Sequence, residues 1–183
     1  MLRIRAFLAL AFAVLLAAPA AAHAGPAVKG NGFRASAPDG WVVKVARPSS
    51  TLVTWSLATP GNPLDAHAVP TAPGAGITIF RVVLPKKERS KTLSRQAIDV
   101  VGTPPGATKI AVEQTMQKLD FAGVDGRSVG FSYTYKGRLI AQYDVLARRG
   151  NFIYGVEGGW DAPGGNDVMA DAIADLLKSW RWT

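Results

Sequence analysis

The sequence predicts an α+β fold: a mostly antiparallel sheet of about six or more strands with helices packed on it. Three observations carry this expectation. Apolar and polar residues alternate with a period of two through 129–135, 139–147 and 152–156, the pattern of strands with one buried face. Lys136-Gly137 and Arg149-Gly150 separate these runs, as turn residues do between consecutive hairpins. Near the end the period changes to that of a helix, placing Val168, Ala172, Ile173, Leu176, Leu177 and Trp180 on one face.

The chain opens MLRIRAFLALAFAVLLAAPAAAHAG. Arg3 and Arg5 precede an apolar run from Ala6 to Ala18, and Ala22-His23-Ala24 has the small–any–small form of a cleavage site. This is the three-part pattern of a secretory leader, residues 1–24, cut near Ala24. The apolar run gives a helix of about 20 Å, shorter than the ~30 Å hydrocarbon core of a bilayer. The product is expected in the periplasm or secreted, with residues 25–183 as one domain.

Phe33 to Ala37 reads as a short strand ended by Pro38, and Asp39-Gly40 supplies turn chemistry. Trp41–Val45 and Thr51–Leu57 follow as strands rich in β-branched and aromatic residues. Segment 58–76 holds four prolines and three glycines in nineteen residues, which rules out a helix or a central strand. A loop that long is functional or mobile. Ile77 to Leu84 is a buried strand stopped by Pro85, and Thr92 caps a helix running to Val101. Ile110 to Phe121 is a further strand. Asn166 is positioned to cap the last helix, whose early aspartates suit its positive end.

The hairpins are expected to pair Val145 with Tyr154 across Arg149-Gly150. A three-residue loop or bulge at Arg138 would set Phe131 against Tyr143, so that one sheet face collects every apolar side chain.

Composition narrows the chemistry. There is no cysteine, which excludes disulfides, thiol catalysis and cysteine-ligated metals. Formal net charge is +8, and losing Arg3 and Arg5 with the leader lowers it by two, to +6. For an exported protein such an excess suits peripheral contact with anionic lipid or glycan, not nucleic acid. No cofactor fingerprint is present.

Residues 126–130, Gly-Arg-Ser-Val-Gly, have the spacing of a hydrolase nucleophile elbow. An elbow needs a helix directly after the serine and, in that fold, a histidine downstream. Phe131 to Tyr135 is strand-like, and the one histidine outside the leader, His67, lies upstream. Ser128 therefore reads as part of a turn entering a strand. Asp65 and His67 offer two metal ligands where three or four are usual. Asp65, His67 and Trp160 are the candidates for contact with a partner or ligand; catalytic, cofactor and metal residues are not assigned.

Gly32-Phe33, Pro38-Asp39-Gly40-Trp41, Ile77–Leu84, the hairpins from Phe131 to Glu157 and the closing Ser179-Trp180-Arg181-Trp182 together resemble the PsbP-like family. That family shares an α/β/α sandwich with the Mog-type Ran-binding proteins. The resemblance implies an exported, non-enzymatic binding or assembly protein, bacterial by its leader, meeting a protein partner or a small envelope ligand. Two other readings remain open: a periplasmic hydrolase using His67 with an acidic partner, and a basic binder of the anionic envelope surface.

Overall fold

The computed structural model describes residues 25–161 and 166–183, and the side chains of 166–168 are not among those described. The expected leader and the capping roles of Asn166 and Asp167 therefore lie outside the described residues. The chain forms β1 (Ala27–Gly30), β2 (Phe33–Ser36), β3 (Val42–Ala46), β4 (Leu52–Ala58) and β5 (Ala75–Val83). It continues through α1 (Leu93–Val100), β6 (Thr108–Phe121), β7 (Val124–Tyr135), β8 (Arg138–Arg149) and β9 (Phe152–Asp161). Helix α2 (Asn166–Ser179) and β10 (Arg181–Trp182) complete it.

Seven strands make one sheet in the order β3-β4-β5-β9-β8-β7-β6, every neighbouring pair antiparallel. A second sheet, β1-β2-β10, was not anticipated: Ala27–Gly30 carries little alternation, and Arg181-Trp182 reads as the end of a helix. The helix instead stops at Ser179, and Arg181 and Trp182 pair with Arg34 and Phe33. Ser179 Oγ accepts the Ser36 N–H at 2.9 Å and joins helix end to strand.

The small sheet and α2 cover one face of the large sheet. Ile77, Ile79, Val145, Val156 and Tyr143 are buried there against Met169, Ile173, Leu176 and Trp180. A Cβ on Gly158 would lie 2.5 Å from Ile173 Cδ1, so a residue without a side chain is what lets α2 seat. Leu177, expected in this core, is only half-buried.

Helix α1 covers the opposite face, placing Ala97 on Phe80, Leu146 and Ile153. Thr92 caps it as expected, its Oγ1 accepting the Arg95 N–H at 3.3 Å. The proline- and glycine-rich connection between β4 and β5 lies on the same face, with Val69 packed on Tyr133, Tyr135 and Ile140.

Both hairpin registers depart from expectation. Lys136 and Gly137 take φ of 50° and 78°, the left-handed pair that closes a two-residue turn. No bulge forms, and Phe131 faces Gln142 while Tyr135 faces Arg138. At the next turn β8 runs on to Arg149 and the loop is Gly150-Asn151, so Val145 opposes Val156 and Ala147 opposes Tyr154. That slip is two residues and leaves each side chain on its face; the one-residue difference at β7–β8 does not.

Phe131 and Tyr133 therefore point toward α1 while Tyr143 and Val145 point toward α2. The sheet is apolar on both sides because both sides are covered. Edge strand β6 pairs irregularly, with register shifts between Thr108 and Ala111, Val112 and Gln114, and Gln114 and Gln117. Among the described residues no helix is long and apolar enough to cross a membrane.

Candidate functional site

On the α1 face, one row of register partners crosses six strands: Lys44, Ser56, Thr78, Glu157, Asp144 and Val129. Directly opposed residues on one sheet face have Cβ atoms about 5 Å apart, so five polar side chains form a continuous strip. Lys44 is exposed, Ser56 and Glu157 are half-buried, and Thr78 and Asp144 are buried.

Asp144 is 2% exposed. Its Oδ2 accepts a hydrogen bond from Gln142 Nε2 at 2.8 Å, and the same nitrogen donates to the Gly102 carbonyl at 3.1 Å. Two acceptors on one amide nitrogen fix the orientation of the carboxamide. Gln142 Oε1, Asp144 Oδ1 and Thr78 Oγ1 are then buried without a protein partner. Burial pushes the Asp144 carboxyl up to about 7, against which the Gln142 hydrogen bond pulls it down. Burial, reinforced by the Asp144 charge, also holds Glu157 well above its ordinary value. Two neighbouring carboxyls in a poorly solvated place resist losing both protons.

Beside the acidic end of this strip lies a cleft of about 390 Å³ between α1, β6 and β7. Val101, Gly102, Val129 and Phe131 line it, and Ile98 and Ile110, 59% and 54% exposed, stand among its lining residues. Strip and cleft adjoin through Val129, the register partner of Asp144, and through Gly102, whose carbonyl Gln142 holds. A Cβ on Gly102 would meet nothing within 4 Å.

At the start of β8, Arg138 clasps the connection between β4 and β5. Its Nε and Nη2 reach Asp161 Oδ1 and Oδ2 at 2.8 and 2.5 Å, while Nη1 and Nη2 donate to the carbonyls of Pro70 and Ala72 at 2.6 and 2.9 Å. Partial burial pushes the Asp161 carboxyl up, but Arg138 and the Gly74 N–H outweigh it and hold the carboxyl below its usual range. Arg138→Ala is expected to cost about 2–3 kcal/mol, the scale for hydrogen bonds to charged groups. Amide exchange should speed up in residues 59–74; unchanged exchange there would refute the clasp.

The three contact candidates do not converge. Asp65 closes its own turn: its Oδ1 accepts the N–H groups of His67 and Val69 at 2.9 and 3.1 Å, and its Oδ2 accepts Tyr135 Oη and Lys136 Nζ at 3.3 and 2.9 Å. His67 is exposed, its ring edge-on to Tyr135 with centroids 6.3 Å apart. Trp160 is 4% exposed and belongs to the core on the α2 face. Ser128 lies within β7, 3% exposed, and its Oγ accepts from Gln114 Nε2 at 3.1 Å. It stands in a strand with no helix after it. Among the described residues no group of three or more His, Cys, Asp or Glu could hold a metal ion.

Nothing in residue type or spacing singles out Thr78, Gln142, Asp144 and Glu157 in the sequence. Alternation assigns Gln142 and Asp144 to a solvent face, and only the apolar run on either side of them hints otherwise.

No family model matches the chain, and no curated protein matches its sequence. Solved structures do match. Cyanobacterial PsbP (CyanoP) from Synechocystis superposes with a TM-score of 0.55 at 9% identity, over 92% of this chain and 99% of that one. The fold is PsbP-like. LpqN, involved in cell envelope biogenesis of Mycobacterium tuberculosis, shares the PsbP-like arrangement with a TM-score of 0.51 at 14% identity, over 88% and 87% of the two chains. A Bacteroides thetaiotaomicron protein gives 0.54 at 11% identity over 87% of this chain, which spans about half that protein's length, 48%. At these identities the PsbP-like fold is what is shared, and function must be argued from the site.

Proposed function

We propose that the protein is an exported, soluble and non-enzymatic binding protein of the bacterial cell envelope, and that its ligand seats in the cleft beside α1. The observation that carries this reading is the cleft itself. Its volume of about 390 Å³ falls in the range of small-molecule sites, roughly 300–1,000 Å³. Its walls are mostly apolar, with Gly102 and Thr103 among the lining residues, the usual composition of such a site. Isoleucines as exposed as Ile98 and Ile110 also suit a rim closed by a ligand. The envelope role stated for LpqN and the leader pattern at 1–24 support the location.

Two measurements on one preparation test the reading. Amino-terminal sequencing of protein recovered outside the cytoplasm should begin at Gly25, and recovery with the leader intact in the membrane fraction would overturn the soluble assignment. The apolar dye N-phenylnaphthylamine should brighten on binding. Gly102→Leu, which directs a side chain into open space without backbone strain, should weaken that binding at least tenfold while leaving the fold unchanged. A dye that does not bind, or binds the variant equally well, would sink the cleft as the site.

A further inference from the structure

We infer that the ligand of this cleft is a hydrophobic amine, whose apolar body fills the space beside α1 and whose ammonium group docks on Asp144 and Gln142. The inference rests on the binding reading above and adds the chemistry of the head group.

Three buried oxygens near the cleft lack a protein partner. Gln142 has spent its nitrogen on Asp144 Oδ2 and the Gly102 carbonyl, so its free atom, Oε1, can only accept. Asp144 Oδ1, beside it, is also without a protein partner. Thr78, the register partner of Glu157, carries a third buried oxygen without a protein partner, its Oγ1. Gln142 Oε1 and the ionised Asp144 Oδ1 can only accept, so a group facing those two must donate hydrogen bonds, whereas the Thr78 hydroxyl suits either kind of partner. An ammonium has three donors and no acceptor, whereas a carboxylate or phosphate has none to give.

Charge points the same way. The chain carries 21 lysines and arginines against 13 acids, and cations serve Asp65, Asp125 and Asp161. Among the described residues no lysine or arginine pairs with Asp144 or Glu157. Leaving the buried Asp144 beside the half-buried Glu157 without a cation is costly once they ionise, and a bound cation would offset that cost.

Geometry joins the two ends. Val129 and Phe131, which line the cleft, are the register partners of Asp144 and Gln142. Asp144 and Gln142 do not themselves line the cleft; Gly102, which does, is joined to Gln142 Nε2 by the hydrogen bond its carbonyl accepts at 3.1 Å. An ammonium can take over the role of that nitrogen toward Asp144.

The test compares three ligands of equal chain length, octylamine, octanol and octanoate, by calorimetric titration of the leaderless protein near pH 8. Octylamine should bind at least tenfold more tightly than octanol, and octanoate least. Asp144→Asn should abolish the amine's advantage over octanol. Glu157→Gln should reduce that advantage and serves as the second variant if Asp144→Asn does not fold. Octanol or octanoate binding as tightly as octylamine would overturn the inference while leaving the cleft intact, and so would an amine preference that survives both variants. If none of the three binds, the cleft reading itself falls.

Discussion

Trp180→Ala is expected to destabilise the protein by about 3–5 kcal/mol, the range for removing a large aromatic side chain from a packed core. Trp180 is fully buried at the junction of α2, the small sheet and the large one. Its ring stacks on Phe33 with centroids 4.2 Å apart and planes 7° from parallel. It meets Phe121 and Trp182 edge-on at 4.9 and 5.3 Å. Losing it removes a ring that touches residues of β2, β6 and β10 at once. For a domain of this size the midpoint of thermal unfolding should fall by roughly 6–20 °C. Trp180→Phe should recover part of the loss by restoring the stack on Phe33. Calorimetry showing a drop below about 1 kcal/mol would mean that α2 and the small sheet are not held as described.

The second large effect belongs to Asp144 and runs against the usual behaviour of acidic groups. In the folded protein its carboxyl is pushed up to about 7, and in the unfolded chain it returns to about 4. Between those values the folded state holds a proton that the unfolded chain has released. Stability is therefore complete below about pH 4 and falls as pH rises to about 7. Glu157, raised for the same reason, adds in the same direction. The expected loss is about 2–4 kcal/mol. Asp65 and Asp161, held below their usual range against the effect of burial, act oppositely and withdraw stability only as pH drops below about 4. Asp144→Asn keeps the shape and removes the charge, so it should flatten the loss between pH 4 and 7 and raise stability at pH 8. Urea unfolding at pH 5 and pH 8 measures both. Equal stability of wild type and variant at pH 8 would show that Asp144 is not buried as a charge.

The sequence made the sheet legible and the site almost invisible, for one reason. Alternation at 129–135 and 139–147 shows that these segments are strands, but alternation alone does not say which neighbours share a face. Supposing one buried side requires Phe131 to face Tyr143 through a bulge at Arg138. The Lys136-Gly137 turn asks for no bulge, and the local turn chemistry was the better guide. With both sides covered, Tyr133 and Tyr143 can be buried on opposite faces. The near-continuous apolar run Ile140–Ala147 was the available sign, since strands covered on both faces lose their polar half. Gln142 and Asp144, read as solvent-facing, are then polar groups inside a second core. The cleft depends on α1 lying over β7, which no local pattern encodes. Asp65 and His67 stood out in the sequence by residue type, yet the Asp65 carboxylate is spent on fastening its own loop.

The uneven pairing of β6 bears on how the molecule behaves in company. Fourteen residues of border strand, with Ile110 and Val112 more than half exposed, would if flat offer a long template on which another chain could add itself. Such addition needs an unbroken comb of outward amides and carbonyls at regular spacing. Each shift of register twists the border and interrupts the comb, here three times. The opposite border, β3, is five residues long and carries Lys44 near its middle. Short length and a charge discourage the same approach. A protein whose core lies on both sides of one broad sheet is thus guarded at both margins against growing into a fibre.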